Sequence, residues 1–184
     1  MMKKVVFKPY WNYAKEEVWL NQMAKKGWAL VHYCWLKYTF EPCEKGEYVY
    51  YIDLLEKHHN APASRDFIEM VEETGIKHVA SYMRWVYFQK KADGKPFELY
   101  TDLDSKVKQL RRINRFWTAL IAAEFAIGFS NLGIWGTEQA DGSAMAMNLY
   151  GGLLLVFIGV MLMTVAYPVR LKIRALMREQ KIRE

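Results

Sequence analysis

Two long apolar segments in the second half of the chain limit what it can fold into. Residues 116–135 contain one charged residue, Glu124, and residues 147–169 contain none. At about 1.5 Å per residue, a helix of either length crosses the roughly 30 Å hydrocarbon core of a bilayer. Residues 136–146 form a short polar segment between them. We therefore expect a hairpin of two transmembrane helices.

The charges that flank these segments predict their orientation. Residues 105–115 contain five cations and no acid, residues 170–184 contain six cations, and residues 136–146 contain only two acids. Lys and Arg accumulate on the cytoplasmic side of membrane proteins. We expect a multi-pass protein of the plasma membrane with both termini in the cytoplasm. Its basic flanks would attract anionic lipid head groups.

This pattern divides the chain into six parts. They are a cytoplasmic domain (1–100), a basic juxtamembrane helix (101–115), two transmembrane helices (116–135 and 147–169), an external loop (136–146) and a basic cytoplasmic tail (170–184).

Thr101 and Asp104 have the spacing of a capping box, and no Pro or Gly follows before Phe116. We expect one unbroken helix from about Asp102 to about Trp135.

The first hundred residues alternate strand-like runs with two helical patterns. The runs that predict strands are 5–10, 28–40, 48–55 and 76–91, and the helical patterns begin near Tyr13 and Ser64. In the first helix, Val18, Trp19 and Met23 would line the buried face. The order β-α-β-β-α-β predicts an α+β, ferredoxin-like domain.

The register of the second and third predicted strands suggests a binding surface. If Tyr38 lies opposite Tyr50, one side of the sheet is apolar and carries the helices. The other side then presents five candidate residues for binding a partner or ligand: Tyr33, Trp35, Lys37, Tyr51 and Asp53. The alternative is that this face packs on the linker or on a second copy of the chain, as in a homo-oligomer.

The sequence offers no catalytic, cofactor or metal motif, and we expect no enzyme. The four histidines lack metal-binding spacing, and no glycine-rich phosphate loop is present. Glu16 and Glu17 are adjacent in sequence, so their side chains point in different directions around the helix. We interpret both as exposed to solvent. Direct nucleic-acid binding is not expected, because residues 1–104 carry 15 cations and 15 acids.

Glu124 is the one ionisable group within the apolar segments, and such groups are costly in a bilayer. It could hydrogen-bond to Thr164 at a similar depth of the second helix and act as packing glue. A role in signalling or partner assembly is the functional alternative.

Several blocks in order resemble the DUF2812 family, a bacterial domain of unknown function. They lie at 16–28, 38–41, 47–50, 87–88, 99–102 and 105–106. The resemblance implies a cytoplasmic domain often followed by transmembrane helices, and frequent genomic company with PadR-like transcriptional regulators. Two arginines expected from the family pattern are replaced here by Tyr51 and Gln89.

These observations favour a membrane-anchored sensor or adaptor whose cytoplasmic domain binds a protein partner, such as a PadR-like regulator. One alternative is an accessory subunit of a membrane transporter. Another is a small ligand-binding or enzymatic domain that is tethered for localisation.

Overall fold

The computed structural model describes residues 3–137 and 142–183, and the chain divides into two compact units after Thr101. Of the loop expected at residues 136–146, residues 138–141 lie outside the described residues. The elements in chain order are β1 (Lys4–Phe7), α1 (Tyr13–Lys25), β2 (Trp28–Cys34), β3 (Lys37–Pro42), β4 (Tyr48–Leu54), α2 (Pro62–Glu73), β5 (Lys77–Tyr82), β6 (Trp85–Lys91), α3 (Leu103–Trp135) and α4 (Gly142–Arg183).

The fold is α+β, as expected, but the first unit has six strands rather than four. The runs predicted as single strands at 28–40 and 76–91 are each a hairpin with a two-residue turn. Trp35 and Leu36 have φ of 31° and 67°, and Met83 has φ of 55°. Tight hairpin turns need positive φ and normally use Gly or Asn there, so the sequence carries no ordinary turn signal. The ferredoxin-like order is therefore not confirmed.

The strands form two antiparallel three-stranded sheets, β1-β3-β2 and β4-β6-β5. In the first sheet, Tyr38 lies opposite Val6 and Tyr33. In the second, Tyr50 lies opposite Gln89. The predicted pairing of Tyr38 with Tyr50 is therefore wrong, because the chain between β3 and β4 passes from one sheet to the other instead of forming a hairpin.

The two halves of the first unit repeat the same β-α-β-β arrangement. Each hairpin shifts register once, between Leu30 and His32 in the first and between His78 and Ala80 in the second, positions 48 residues apart. The glycines that end α1 and α2, Gly27 and Gly75, have the same spacing and φ of 82° and 85°. The domain is thus built from two copies of one supersecondary unit.

Helix α1 belongs to the core of both sheets. Its buried residues Leu20, Met23 and Ala24 share one apolar cluster with residues of β2, β3, β4, β5 and β6. Val18, which was predicted on the buried face, is exposed. Asn12 caps the helix by accepting a hydrogen bond from the backbone N–H of Ala14 at 2.9 Å.

Side chains of α1 also satisfy backbone groups of β4. The Asn21 amide accepts from the Tyr50 N–H at 2.8 Å and donates to the Tyr50 carbonyl at 3.2 Å. Glu17 accepts from the Ile52 N–H at 2.9 Å. A buried strand edge must find such partners, and here one helix provides them. Glu17 is therefore a structural group and not a solvated one.

The second unit is an antiparallel pair of long helices. Asp102, and not Thr101, caps α3 by accepting from the Ser105 N–H at 2.7 Å. The pairing extends past the apolar segments, because Gln180 donates to Asp104 at 2.9 Å and Arg170 donates to Asn114 at 3.1 Å. The predicted tail is thus a continuation of α4, which runs through Pro168. By length and composition, both helices could cross a membrane.

Glycine permits the closest approach of these helices. A Cβ atom added to Gly152 would lie 2.9 Å from the Gly128 carbonyl oxygen and 2.8 Å from Leu132 Cγ, whereas one added to Gly151 would meet nothing within 4 Å. Small residues let helix backbones approach in this way.

We predict opposite effects of alanine at these adjacent glycines. Gly152→Ala should destabilise the helix pair by about 1–3 kcal/mol, since a backbone atom must move. Gly151→Ala should be neutral or stabilising by up to about 1 kcal/mol, because alanine is the better helix former. Thermal unfolding of the two variants in one detergent makes the comparison, and equal shifts would contradict the packing.

Candidate functional site

The five residues predicted to form one binding face lie in different environments of the first unit. Trp35 is 67% exposed in the turn between β2 and β3, and Lys37 is exposed at the start of β3. Tyr33 is half-buried and lies opposite Tyr38. Tyr51 packs on Phe97 with ring centroids 5.4 Å apart. The predicted arrangement of these residues on one face is therefore wrong, because it depended on a strand pairing that does not form.

Asp53, the fifth of these residues, is fully buried on β4. Its Oδ2 accepts a hydrogen bond from the Tyr100 hydroxyl at 2.6 Å, and its Oδ1 accepts from the Leu54 N–H at 2.7 Å. Burial, Glu17 and Asp53 together raise the pKa of Tyr13 to about 12. Asp53 thus holds the segment after β6 against the sheet and adds negative potential near α1.

The structure brings together a different set of residues around Glu16. The Glu16 side chain is only 6% exposed, and its Oε1 accepts hydrogen bonds from the hydroxyls of Tyr38 at 2.7 Å and Tyr87 at 2.8 Å. Tyr38 is on β3 and Tyr87 is on β6, so one carboxylate oxygen joins the two sheets. We call Glu16, Tyr33, Tyr38 and Tyr87 the Glu16 centre.

Aromatic rings enclose this centre. The Tyr33 ring lies with its centroid 4.7 Å from both the Tyr38 and the Tyr87 ring centroids. Trp19 meets Tyr38 edge-on at 4.9 Å, and Tyr82 meets Tyr33 at 6.0 Å. Of the three tyrosines in the centre, Tyr33 is the half-buried one and covers the other two.

The electrostatics of the centre are those of a desolvated acid. Burial raises the pKa of Glu16, and the hydrogen bonds from Tyr38 and Tyr87 lower it by less. Burial and the charge of Glu16 raise the pKa of Tyr87 well above its ordinary value, and that of Tyr38 in the same direction. Both hydroxyls are therefore protonated donors at neutral pH.

Glu16 forms no ion pair with Lys, Arg or His within residues 3–137 and 142–183. A buried carboxylate without a cation is unusual, because its desolvation is repaid only by hydrogen bonds. Groups perturbed in this way are concentrated at functional sites.

The sequence contained one usable signal for Glu16. Glu16, Leu20, Met23 and Ala24 are spaced by four, three and one, as residues on one helix face are, and all four are buried. The interpretation of Glu16 as solvated is therefore wrong. Its tyrosine partners could not have been found in the same way, because they depend on two hairpins that the sequence did not predict.

The hydrogen bond predicted between Glu124 and Thr164 does not form. Thr164 donates its hydroxyl to the Met161 carbonyl of its own helix at 2.7 Å. Glu124 Oε2 is buried and, among the described residues, has no hydrogen-bond partner. Thr164 is therefore not the partner of Glu124.

We predict that Glu16→Gln stabilises the protein at neutral pH. The folded state raises the pKa of Glu16 above its ordinary value of about 4.3. The stability contributed by its neutral form is therefore present below about pH 4.3 and is lost as pH rises through the raised pKa. Glutamine keeps an acceptor for the tyrosines but cannot ionise.

Chemical unfolding at pH 4 and pH 8 measures this effect. The variant should exceed the wild type in stability at pH 8 and lose that advantage at pH 4. Glu69→Gln, at an exposed position of α2, should show no such difference. A Glu16→Gln protein that is less stable than wild type at pH 8 would contradict the prediction.

One family model matches the chain, over residues 12–122, and its description is a protein of unknown function, DUF2812. The matched region contains the Glu16 centre and also the first twenty residues of α3. No curated protein and no solved structure matches the chain significantly. Because the match covers more than half of the sequence, the chain belongs to the DUF2812 family.

Proposed function

We propose that the protein is a membrane-anchored sensor or adaptor whose N-terminal domain binds a protein partner in the cytoplasm. The observation that carries the proposal is the small number of residues between the last anchored side chain of the domain and α3. The Tyr100 hydroxyl donates a hydrogen bond to buried Asp53, and the cap of α3 follows two residues later at Asp102. So short a connection favours transmission of force, whereas a long flexible linker could only tether.

The length of α3 supports the same proposal. Its 33 residues run without a break from the cap to Trp135, about 50 Å at 1.5 Å per residue. The family match extends to residue 122. The first part of this helix thus belongs to the same family region as the domain.

The proposal places α3 and α4 in the plasma membrane. Large apolar side chains on both helices are exposed, among them Ile127, Phe129, Leu154 and Phe157, and water disfavours such a surface. The cation-rich segments at 105–115 and 170–184 favour cytoplasmic ends that contact anionic lipids.

The partner that we propose is a PadR-like transcriptional regulator, on the basis of the family resemblance. Purification of the full chain in a mild detergent, followed by identification of bound proteins, tests this. Recovery of such a regulator supports the proposal. Recovery of a transporter would instead identify an accessory subunit, and recovery of the chain alone would favour a tethered ligand-binding domain.

We predict that a cysteine at Ser143 is labelled from outside intact cells and that one at Ser105 is not. The positive-inside rule places them on opposite sides of the membrane. Each cysteine is introduced alone into a background in which Cys34 and Cys43 are replaced by Ser. Both must react in permeabilised cells, and labelling of the Ser105 position in sealed cells would overturn the orientation.

We predict that inserting Gly-Gly after Lys108 uncouples regulation without preventing membrane insertion. Two glycines weaken the helix by about 2 kcal/mol and interrupt its rigidity. The measurement is transcription from a promoter controlled by the partner that co-purifies.

The matched control is the same insertion after Gly94. A Cβ atom added to Gly94 would meet nothing within 4 Å, and this position precedes the Tyr100 contact. Regulation should survive there. If it also survives the insertion after Lys108, the domain is only anchored and the mechanical proposal fails.

A further inference from the structure

The acid at position 16 is not common to both copies of the repeated unit. Ser64 lies 48 residues after Glu16, at the corresponding position of α2, and it too is buried. Its hydroxyl donates to the Lys57 carbonyl at 3.3 Å. The carboxyl group is therefore a feature of the first copy, where it joins the two sheets, and not of the repeated unit itself.

The Glu16 centre has the chemistry of a cation site with no cation of its own. The Tyr38 and Tyr87 hydroxyls donate to the same oxygen, Oε1, and no ion pair neutralises the group within the described residues. Burial, together with the charges of Glu17 and Asp53, raises the pKa of neighbouring Tyr13, so two further acids add negative potential near the start of α1.

The surrounding rings are suited to an organic cation. The faces of tyrosine and tryptophan attract ammonium groups, and the attraction grows when water is excluded. The outer rings of this cluster already contact an ammonium group, because Lys8 Nζ lies 5.0 Å from the Tyr10 ring centroid and 5.1 Å from the Trp19 ring centroid. Trp19 in turn contacts Tyr38.

A metal ion fits these ligands poorly. The centre provides one carboxylate and phenol hydroxyls, whereas Ca²⁺ and Zn²⁺ prefer several carboxylates or nitrogen and sulfur ligands. Among the described residues there is no group of three or more His, Cys, Asp and Glu that could hold a metal. An anion would be repelled by the carboxylate.

The geometry points to the Glu16 centre as a binding site for an organic ammonium cation. The positive head group would lie against the Glu16 carboxylate between the rings of Tyr38 and Tyr87, in the place that the Tyr33 ring covers. Tyr33 is half-buried and lies two residues before the turn at Trp35 and Leu36, and binding requires its ring to move away from Tyr38 and Tyr87. This inference does not depend on the proposed adaptor role.

Calorimetric titration of the full chain in detergent tests the site with choline as the probe. Its neutral counterpart, 3,3-dimethyl-1-butanol, has the same shape without the charge. We expect choline to bind and the alcohol to bind at least about tenfold more weakly. Equal binding of the two, or no binding of choline, would overturn the proposal.

Three variants test where choline binds. Glu16→Gln should weaken choline binding at least about tenfold, whereas Glu69→Gln on the exposed side of α2 should leave it unchanged. Equal affinities in these two variants would contradict the site. Tyr33→Ala removes the covering ring and should preserve or strengthen binding. Loss of choline binding in a folded Tyr33→Ala protein would contradict entry of the cation at the place that Tyr33 covers. This test can be made even if Glu16→Gln does not fold.

The lipid composition distinguishes a dissolved cation from a lipid head group. Choline titrations are repeated with the protein in nanodiscs of phosphatidylglycerol and of phosphatidylcholine. Equal affinities identify a dissolved cation as the ligand, and weaker binding in phosphatidylcholine identifies its head group as a competitor for the same site. Absence of choline binding in both nanodiscs would overturn the proposal.

Discussion

The hydrogen bonds from two tyrosines to one oxygen of Glu16 join sheets that share no paired strand. Tyr38 reaches this oxygen from β3 and Tyr87 reaches it from β6. The helix that carries Glu16 also satisfies the backbone of β4 through Asn21 and Glu17. The two halves of the domain are therefore held by α1, and any change in the charge of Glu16 acts on the junction between them. This makes the junction the natural place for a ligand to affect the whole domain.

The second unit depends on close backbone contact instead of polar pairing. Gly128 and Gly152 allow α3 and α4 to approach within the apolar region, while Arg170 and Gln180 connect the polar parts of the same helices. Both kinds of contact follow the same antiparallel register along most of the length of α3. A displacement of one helix along the other would have to break contacts at several levels together, so the pair is suited to move as one body.

The sequence predicted the elements whose signals are local. The apolar segments, the capped start of α1 and the continuity of α3 were readable because each depends on neighbours within a few residues. The hairpin turns were not, because Trp35 and Leu36 adopt positive φ without Gly or Asn. Because these turns were not predicted, Tyr33, Tyr51 and Asp53 were assigned to one face of a sheet that does not form. Glu16 was within reach, since its spacing to Leu20 placed it on the buried side of α1.

The repeated β-α-β-β unit places the two copies in contact through equivalent strands. The strands β2 and β5 occupy corresponding positions in the two copies and lie next to each other. The copies differ at the start of their helices, where one has the acid Glu16 and the other has Ser64. A domain built from a repeated unit therefore has one chemically distinctive half.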